Sequence, residues 1–207
     1  MDIDTRPYHH GDLAAALVDA AEEELTEKGI EGFSLRGVAK RAGVSHAAPA
    51  HHFVDMQGLL TAVATRGFER FVRRQADFRR RADSDARSQL VASGLGYVVF
   101  AMESPALFRL MFGSNRTNFK NADLARSAGK AYDDLVHHVA KLRMEGHSQH
   151  ELHGSTLDVD LMRHVAAIWA VAHGLADLLV AGRLDSIGTL SAKLKREAIA
   201  EVLRRVI

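Results

Sequence analysis

The stretch FSLRGVAKRAGVSHAAPAHHF, from Phe33 to Phe53, decides the fold of this chain. Ser34 is a good N-cap for a short helix whose apolar positions recur at helical spacing. Gly43 ends that helix and permits the positive φ of a tight turn, after which Ser45 can cap a second short helix. Ala39 is small where the two helices would cross. The pattern predicts a helix-turn-helix unit.

The outward face of the second short helix is the part of this unit that can carry a function. Val44 and Phe53 are apolar and are expected to anchor the unit and fix its angle. The other side chains project from the start of a helix, where they can enter the major groove of DNA. A hairpin of helices without any DNA role would have similar residue types, so both interpretations stay open at this point. The outward positions are Ser45, His46, Ala47, Ala48, Ala50 and His51.

Helical patterns also cover the rest of the chain. Only three prolines occur, and no sustained alternation of apolar and polar residues indicates a strand. We therefore expect an all-α protein, with a long fourth helix capped by Asp55 and a short helix over 105–112 capped by Ser104. The other expected helices cover 11–28, 86–102, 122–144, 158–181 and 186–206.

The composition is that of an ordinary globular protein. The chain has 207 residues, of which 47% are hydrophobic and 26% charged, and it has no cysteine, which excludes disulfides and thiolate zinc sites. The N-terminus is polar and does not resemble a signal peptide. The most apolar run, Val165 to Ala176, is shorter than the roughly 18 residues of a membrane span and is expected to be a buried helix. These features predict a cytoplasmic protein without a membrane partner.

Charge is unevenly distributed, although the net charge is only +1. Seven acidic residues and one lysine lie between Asp12 and Glu31, whereas the segment from Arg36 to His52 holds three basic residues, three histidines and no acid. Seven arginines lie between Arg66 and Arg81. Clustered basic residues indicate an anionic partner such as DNA, but they also occur on solvated helix faces. For the arginine-rich segment both interpretations remain open.

Two stretches of the chain resemble one known family. FSLRGVAKRAGVSHAAPAHHFVDMQGLL, preceded by LTEKGIEG, resembles the N-terminal domain of TetR-type transcriptional regulators over about Tyr8 to Phe71. PALFRLMFG (from Pro105) and WAVAHGLADLL (from Trp169) resemble a C-terminal regulatory domain with a Trp-x3-His-Gly signature. The resemblance implies a homodimeric repressor that binds double-stranded DNA and is released by a small molecule. It also implies a DNA-binding domain over 8–54 and a ligand-binding and dimerisation domain over 55–207.

The resemblance assigns roles to particular side chains. Ser34 and Arg36 occupy positions that touch phosphate or base edges in relatives, and His51 and His52 would lie near the DNA backbone. Relatives usually have Tyr where this chain has Ala50, and Lys at the start of the fourth helix, and both of those side chains reach phosphates. The resemblance therefore predicts a DNA reader with fewer phosphate anchors. The predicted DNA-binding positions are Ser34, Arg36, Ser45, His46, Ala47, Ala48, Ala50, His51, His52 and Met56.

A small-molecule site is predicted among the middle helices. Trp169 and His173 are four residues apart and share one helix face. The structural interpretation is a packed Trp beside a hydrogen-bonded core His, and the functional one is a His that lines an effector pocket. Neighbouring Phe and Met side chains would form core or would line a cavity between helices that takes a mostly apolar ligand. The candidate ligand-binding residues are Phe100, Phe108, Met111, Phe112, Trp169 and His173.

The last two helices are predicted to form a homodimer interface. The helix around Trp169 is apolar on nearly all sides, which is more than the core of one chain usually covers. Two apolar helices from each subunit would form a four-helix interface with twofold symmetry. Such a dimer would place two recognition helices about 34–36 Å apart, or a multiple of that, and therefore predicts a palindromic operator. A second apolar stripe comprises Leu190, Leu194, Ala198 and Val202.

An enzyme or a metal protein that uses the many histidines is the main rival interpretation. The chain shows no cysteine, no paired catalytic carboxylates beside a histidine and no Gly-rich phosphate loop. The spacing of His147, His150 and His153 drifts around a helix and does not form the His-Glu-x-x-His zinc pattern. We therefore predict no catalytic residue, no metal and no cofactor. A dimeric small-molecule carrier that has lost DNA binding is the other alternative, because of Ala50 and Met56.

Overall fold

A computed structural model of the chain describes residues 13–146 and 156–207. Helices account for 79% of these residues, and the described part contains no strand, so the predicted all-α fold is confirmed. In chain order the helices are Leu13–Lys28 (α1), Leu35–Ala42 (α2), Ala48–Phe53 (α3), Met56–Arg79 (α4), Ala86–Glu103 (α5), Pro105–Phe112 (α6), Ala122–Gly146 (α7), Thr156–Val180 (α8), Asp185–Gly188 (α9) and Ala192–Arg204 (α10).

Local signals set the ends of the helices around the helix-turn-helix unit. The Ser34 hydroxyl accepts a hydrogen bond from the backbone N–H of Gly37 at 3.1 Å, and the Asp55 carboxylate accepts one from that of Gly58 at 2.8 Å. Gly43 ends α2 with φ 68°, in the left-handed region. These predicted caps are confirmed, because each depends only on residues within one turn of the helix end.

Two predicted helix ends are wrong, and a third lies at the predicted residue but lacks a side-chain cap. Ser45 does not cap α3, because Ala47 holds the cap position and the backbone carbonyl of Ser45 accepts from the N–H of Ala48 at 3.0 Å. Ser104 precedes Pro105 at the start of α6, but its side chain makes no capping hydrogen bond. The single helix expected over 186–206 is two helices, because Ser191 caps a new one by accepting from Leu194 N–H at 3.5 Å.

One continuous apolar core joins the N-terminal helices to the C-terminal ones. Leu17 and Leu25 of α1 belong to the same cluster as Leu60 of α4, Phe108 of α6 and Leu203 of α10. Helix α4 contacts α1 and α3 as well as α5, α6 and α7. The boundary predicted between residues 54 and 55 therefore falls just before the helix that packs against both parts, and it stays a prediction.

Helix α8 is not the fully buried helix expected from its composition. Val165, Ile168, Ala172 and Ala176 are buried, and the opposite side of the helix is exposed. Over Val159–Val180 this helix is long and apolar enough to cross a membrane, a property that the core helices of soluble proteins share. The sequence pattern indicated apolar positions on all sides, but it did not show which of them the other helices of the chain cover.

Candidate functional site

The exposed side chains of α2, of α3 and of the turn between them are the part of the helix-turn-helix unit that we call the recognition surface. Most of the predicted DNA-binding positions lie on it, together with Lys40, which carries a further positive charge. No acidic residue lies between Arg36 and His52, so the surface is neutral to basic. A small, basic helix face of this kind is suited to approach the backbone and base edges of DNA. The recognition surface comprises Arg36, Lys40, Ser45, His46, Ala47, Ala50, His51 and His52.

Three predicted DNA-binding residues are less accessible than these. Ser34 is half-buried, and its hydroxyl caps α2 and donates to the carboxylate of Glu24 at 3.4 Å. Ala48 is half-buried as well. Met56 is half-buried and packs against the main core from the first turn of α4. The roles that the family resemblance gives to these three residues remain predictions.

A buried carboxylate holds α1 and α2 together behind the recognition surface. Glu24 of α1 is buried, and it accepts a hydrogen bond from Arg41 Nε at 2.7 Å. The guanidinium of Arg41 also pairs with Glu27. Arg41 therefore neutralises α1 and is not an unpaired cation for DNA, although it belongs to the basic stretch of the sequence. No signal in the sequence distinguished Glu24 from the other acidic residues of α1.

The junction between α3 and α4 has a strained backbone. Val54 has φ 68° and ψ −57°, and it is the only non-glycine residue with positive φ among the described residues. The N–H of Asp55 donates to the carbonyl of Phe53 at 2.8 Å across it, so these residues form a γ-turn of the rare, strained kind. A Cβ added to Gly58 would overlap that same carbonyl oxygen. The angle between the recognition helix and α4 therefore depends on close contacts at this turn.

A cavity of about 310 Å³ lies between α4, α5, α6, α7 and α8. Its walls are largely aromatic, and none of the lining side chains is charged. Apolar cavities of this size, with a few polar groups, are typical of small-molecule sites. Phe119 and Tyr132 are exposed members of the lining and lie where the cavity meets solvent. The aromatic lining residues are Phe68, Phe71, Tyr97, Phe112, Phe119, Tyr132 and Trp169.

Half of the predicted ligand-binding residues line this cavity. Met111, Phe112 and Trp169 do so, whereas Phe100, Phe108 and His173 do not. Phe100 and Phe108 are buried in the main core, where the Phe100 ring packs edge-on against Phe71 with centroids 5.3 Å apart. Helical spacing alone could not separate the side of α5 and α6 that faces the cavity from the side that faces the core.

His173 does not line the cavity but contacts residues that do. Its Nδ1 and the hydroxyl of Tyr97 share a hydrogen bond of 2.7 Å, and its ring also packs against Phe108 and Phe112. Burial raises the pKa of Tyr97 well above its ordinary value, which a hydrogen bond from Trp169 only partly offsets. Tyr97 therefore stays an uncharged phenol at physiological pH. The structural interpretation of His173 as a hydrogen-bonded partner of an aromatic side chain fits these contacts.

The loop over residues 113–121, which we call the bridging loop, touches both the cavity and the N-terminal helices. Ser114 and Phe119 line the cavity. Arg116 pairs with Glu31 in the turn between α1 and α2 at 3.0 Å, and the N–H of Asn118 donates to the buried hydroxyl of Thr61 at 3.0 Å. A change in the position of this loop at the cavity would therefore be transmitted to the helix-turn-helix unit through these contacts.

The arginines between Arg66 and Arg81 are mostly paired within the chain. Arg66 pairs with Asp19 and Glu22, and Arg70 also pairs with Glu22, so α4 is tied to α1. Further along α4, Arg74 pairs with Glu103, Arg79 with Asp134 and Arg80 with Asp77. This part of the basic pattern holds helices together, and the interpretation as a DNA-facing segment receives no support from these contacts.

Helices α8 and α10 each carry exposed apolar side chains. Val159, Met162 and Leu178 of α8 are exposed, as is Leu194 of α10. The buried face of α10 is instead formed by Ile199, Ala200 and Leu203. The stripe predicted from Leu190 to Val202 is thus exposed or half-buried, as an interface between protomers requires.

Histidine clusters do not form a metal site in the described part of the chain. Groups of three or more His, Asp or Glu side chains arranged to hold a metal ion are not found among residues 13–146 and 156–207. His147, His150 and His153 lie outside the described residues, so their arrangement is a prediction only.

Comparison with known proteins identifies both parts of the chain. Residues 17–63 match the family described as bacterial regulatory proteins, tetR family, and residues 90–204 match the Tetracyclin repressor-like, C-terminal domain. The chain is 28% identical to an HTH-type transcriptional regulator BetI of Paraburkholderia phytofirmans, over 82% of this chain and 94% of that protein.

Solved structures share the whole architecture. A protein of unknown function from Rhodococcus sp. RHA1 is 32% identical, with a TM-score of 0.75 over 97% of each chain. The TetR family transcriptional regulator PfmR from Thermus thermophilus has a TM-score of 0.63 over 91% of this chain and 97% of that one, and at 16% identity this likeness concerns the fold alone. Since the C-terminal match alone extends over more than half of the chain and the N-terminal match covers the helix-turn-helix unit, the chain belongs to the TetR family of bacterial regulatory proteins.

Proposed function

We propose that this DNA-binding transcriptional regulator is a cytoplasmic, homodimeric repressor, which leaves a palindromic operator when an uncharged, mostly apolar effector enters the cavity. The observation that carries the proposal is the bridging loop, because it lines the cavity with Phe119 and contacts the N-terminal helices through Arg116. Two of the proteins named above, BetI and PfmR, are transcriptional regulators, and we propose regulation, not catalysis, for this chain as well.

DNA binding is assigned to the recognition surface. Arg36 and His46 are exposed and are the side chains there best able to reach base edges. The side chains of Ala47 and Ala50 are short, so the helix can approach thymine methyl groups closely. Base contacts specify the sequence, whereas phosphate contacts position the protein. Replacing His46 is therefore expected to change which operator is preferred.

Dimerisation is assigned to the exposed apolar side of α8 and α10. Exposed apolar patches of this kind mark contact surfaces between proteins. A twofold arrangement would bury the same patch on both protomers and would set the two recognition surfaces at a fixed separation. An effector then acts only through its different affinity for the DNA-binding and the released arrangement of the dimer.

The experiment that tests this proposal measures DNA binding and oligomeric state together. Fluorescence anisotropy with overlapping duplexes from the DNA that flanks the chain's own gene should reveal one palindromic site, and light scattering should show a dimer at micromolar concentration. Arg36→Ala should weaken operator binding, whereas Lys130→Ala, which removes the same charge from an exposed position on α7, should not. A monomer, or the absence of binding to every duplex, would contradict the proposal.

A dimeric carrier of small molecules is the second candidate. It is favoured by Ala50 and Met56, which occupy the positions where the family resemblance places a Tyr and a Lys that contact phosphates. A dimer that takes up apolar ligands but binds no duplex would support the carrier over the repressor.

A further inference from the structure

We propose that Gln75 is the polar anchor of the cavity, and that the effector is an uncharged aromatic or polycyclic molecule that presents a carbonyl-type oxygen to the Gln75 amide. This inference rests on the proposed function of the cavity as the effector site. It adds the chemical class of the ligand and the side chain that selects it.

Gln75 is a buried polar residue in an otherwise apolar wall. It lies on α4, is only 8% exposed, and lines the cavity beside Ser93 of α5. Its backbone is fixed by the close crossing of α4 and α5, where a Cβ on Gly96 would come within 2.8 Å of the Gln75 Cα. The side chain therefore starts from a rigid position and not from a mobile loop.

The orientation of the Gln75 amide follows from its neighbours. Arg79 Nη1 donates to the Ser93 hydroxyl at 3.0 Å, and the same guanidinium is bound to Asp134 at 2.7 Å. A guanidinium can only donate, so the Ser93 hydroxyl accepts from it and gives its own single proton to Gln75 Oε1, 2.7 Å away. A chain of hydrogen bonds therefore runs from Asp134 through Arg79 and Ser93 to Gln75. It directs the amide oxygen of Gln75 toward Ser93 and leaves Nε2 as the remaining donor.

Gln75 Nε2 has no acceptor among the residues that the structure describes. Most of the other polar groups of the lining are already engaged, and the hydroxyl of Tyr132, which has no partner among the described residues, lies where the cavity meets solvent. The Tyr97 hydroxyl bonds to His173, Trp169 bonds to Tyr97, and the Ser114 hydroxyl accepts from the N–H of Arg116 at 3.0 Å. A ligand that supplies an acceptor oxygen to Nε2 gains a hydrogen bond that a hydrocarbon of the same shape cannot make.

The rest of the lining defines the remainder of the ligand. No lining residue is charged, and the guanidinium that contacts Ser93, that of Arg79, is neutralised by Asp134. Burial of an unpaired carboxylate or ammonium is therefore disfavoured. The Phe68, Phe71 and Phe112 rings meet edge to face, with centroids 5.3 to 6.5 Å apart. Such walls favour flat rings over flexible chains.

Three probes of nearly the same shape test the proposal. Benzophenone carries a carbonyl between two rings, diphenylmethane has a methylene in its place, and 4-benzoylbenzoate adds a carboxylate. Their dissociation constants are measured by calorimetry on the full chain without DNA, with quenching of Trp169, the only tryptophan, as a second readout. We expect benzophenone to bind about 10-fold tighter than diphenylmethane, as one neutral hydrogen bond provides, and 4-benzoylbenzoate to bind more weakly than benzophenone.

Variants assign the preference to Gln75. Gln75→Leu keeps the approximate volume and removes the donor, so the 10-fold preference for the ketone should vanish. Ser93→Ala frees the orientation of the amide and should reduce the preference, and it serves if Gln75→Leu does not fold. Gln57→Leu makes the same change at an exposed position of α4 that does not line the cavity, and it should leave the preference unchanged. A preference that survives Gln75→Leu, equal binding of ketone and hydrocarbon, or no binding of either by the wild type overturns the proposal.

The two proposals fail in different ways. A ketone preference that depends on Gln75, in a chain that binds no operator, leaves the ligand class intact and contradicts only the repressor. Operator binding by a chain that ignores all three probes overturns the ligand class alone.

Discussion

The backbone N–H of Asp55 donates to the carbonyl oxygen of Phe53 at 2.8 Å, and the turn closed by this bond joins the recognition helix to α4. Val54 lies between them with φ 68°, a conformation that a β-branched residue adopts only under strain. Its side chain is exposed and makes no compensating core contact. Strain at this point is maintained by its neighbours, which are the cap at Asp55 and the close contact at Gly58.

Val54→Gly is expected to stabilise the protein. Glycine has no Cβ and adopts positive φ freely, so the strain at this turn is relieved. After the extra conformational entropy that glycine gives the unfolded chain is subtracted, the free energy of unfolding should rise by about 1 kcal/mol. The melting temperature should rise by about 2–4 °C, measured by circular dichroism. Val54→Ala, which keeps a Cβ, should give a smaller change. A lower melting temperature for Val54→Gly would show that the turn is not strained.

Gly58→Ala is expected to destabilise the junction between α3 and α4. The added methyl would overlap the carbonyl of Phe53, so the turn must open, at a cost of about 2 kcal/mol, and operator affinity should fall because the recognition helix changes its angle. Gly129→Ala in α7 is the matched control, since nothing lies within 4 Å of the added methyl. That change should stabilise the helix by about 0.5–1 kcal/mol. Equal effects of the two substitutions would rule out the close contact as the cause.

Met56→Lys is expected to add about one phosphate contact. Met56 is half-buried against the core, and the stem of a lysine can cover the same apolar surface while its ammonium reaches solvent at the start of α4. The plot of log affinity against log salt should steepen by about 0.9, measured by anisotropy on the operator. Ala125→Lys adds the same charge at an exposed position on α7 and should leave the slope unchanged. Identical slopes for wild type and Met56→Lys would mean that this end of α4 does not meet the DNA backbone.

Tyr97→Phe is expected to change how stability depends on alkaline pH. Burial raises the pKa of Tyr97 in the folded state, whereas in the unfolded chain the hydroxyl ionises near its ordinary value of about 10. As the pH rises above about 10, ionisation of Tyr97 in the unfolded chain therefore lowers the free energy of unfolding of the wild type. The variant has no hydroxyl at this position and does not show this loss.

Urea unfolding of both proteins at pH 8 and at pH 10.5 measures this effect. At pH 8 the variant should be less stable, by about 1 kcal/mol, because it lacks the hydrogen bond to His173. At pH 10.5 the difference in the free energy of unfolding between the wild type and the variant should be smaller. A constant difference at both pH values would contradict the buried, uncharged state of Tyr97.

The sequence by itself determined the features that depend on neighbours in the chain. Ser34 and Asp55 cap their helices, and Gly43 turns the chain, because each acts within one helical turn of its own position. The helix-turn-helix unit and the family followed from these short-range signals and their spacing. Even local reasoning failed at Ser45, where Pro49 is buried in α3 and the turn before the helix is closed by backbone atoms.

The tertiary structure alone decided which apolar and charged residues meet. Glu24 was one acid among several in α1 until α2 brought Arg41 to it. Gln75 was an ordinary helical residue until α5 supplied Ser93 and α7 supplied Asp134, the partner of Arg79. Side chains distant in the chain meet only when helices cross, and helical periodicity gives the face of a helix but not its neighbour. For the same reason the pattern of α8 could not show which of its apolar sides the chain buries and which it leaves exposed.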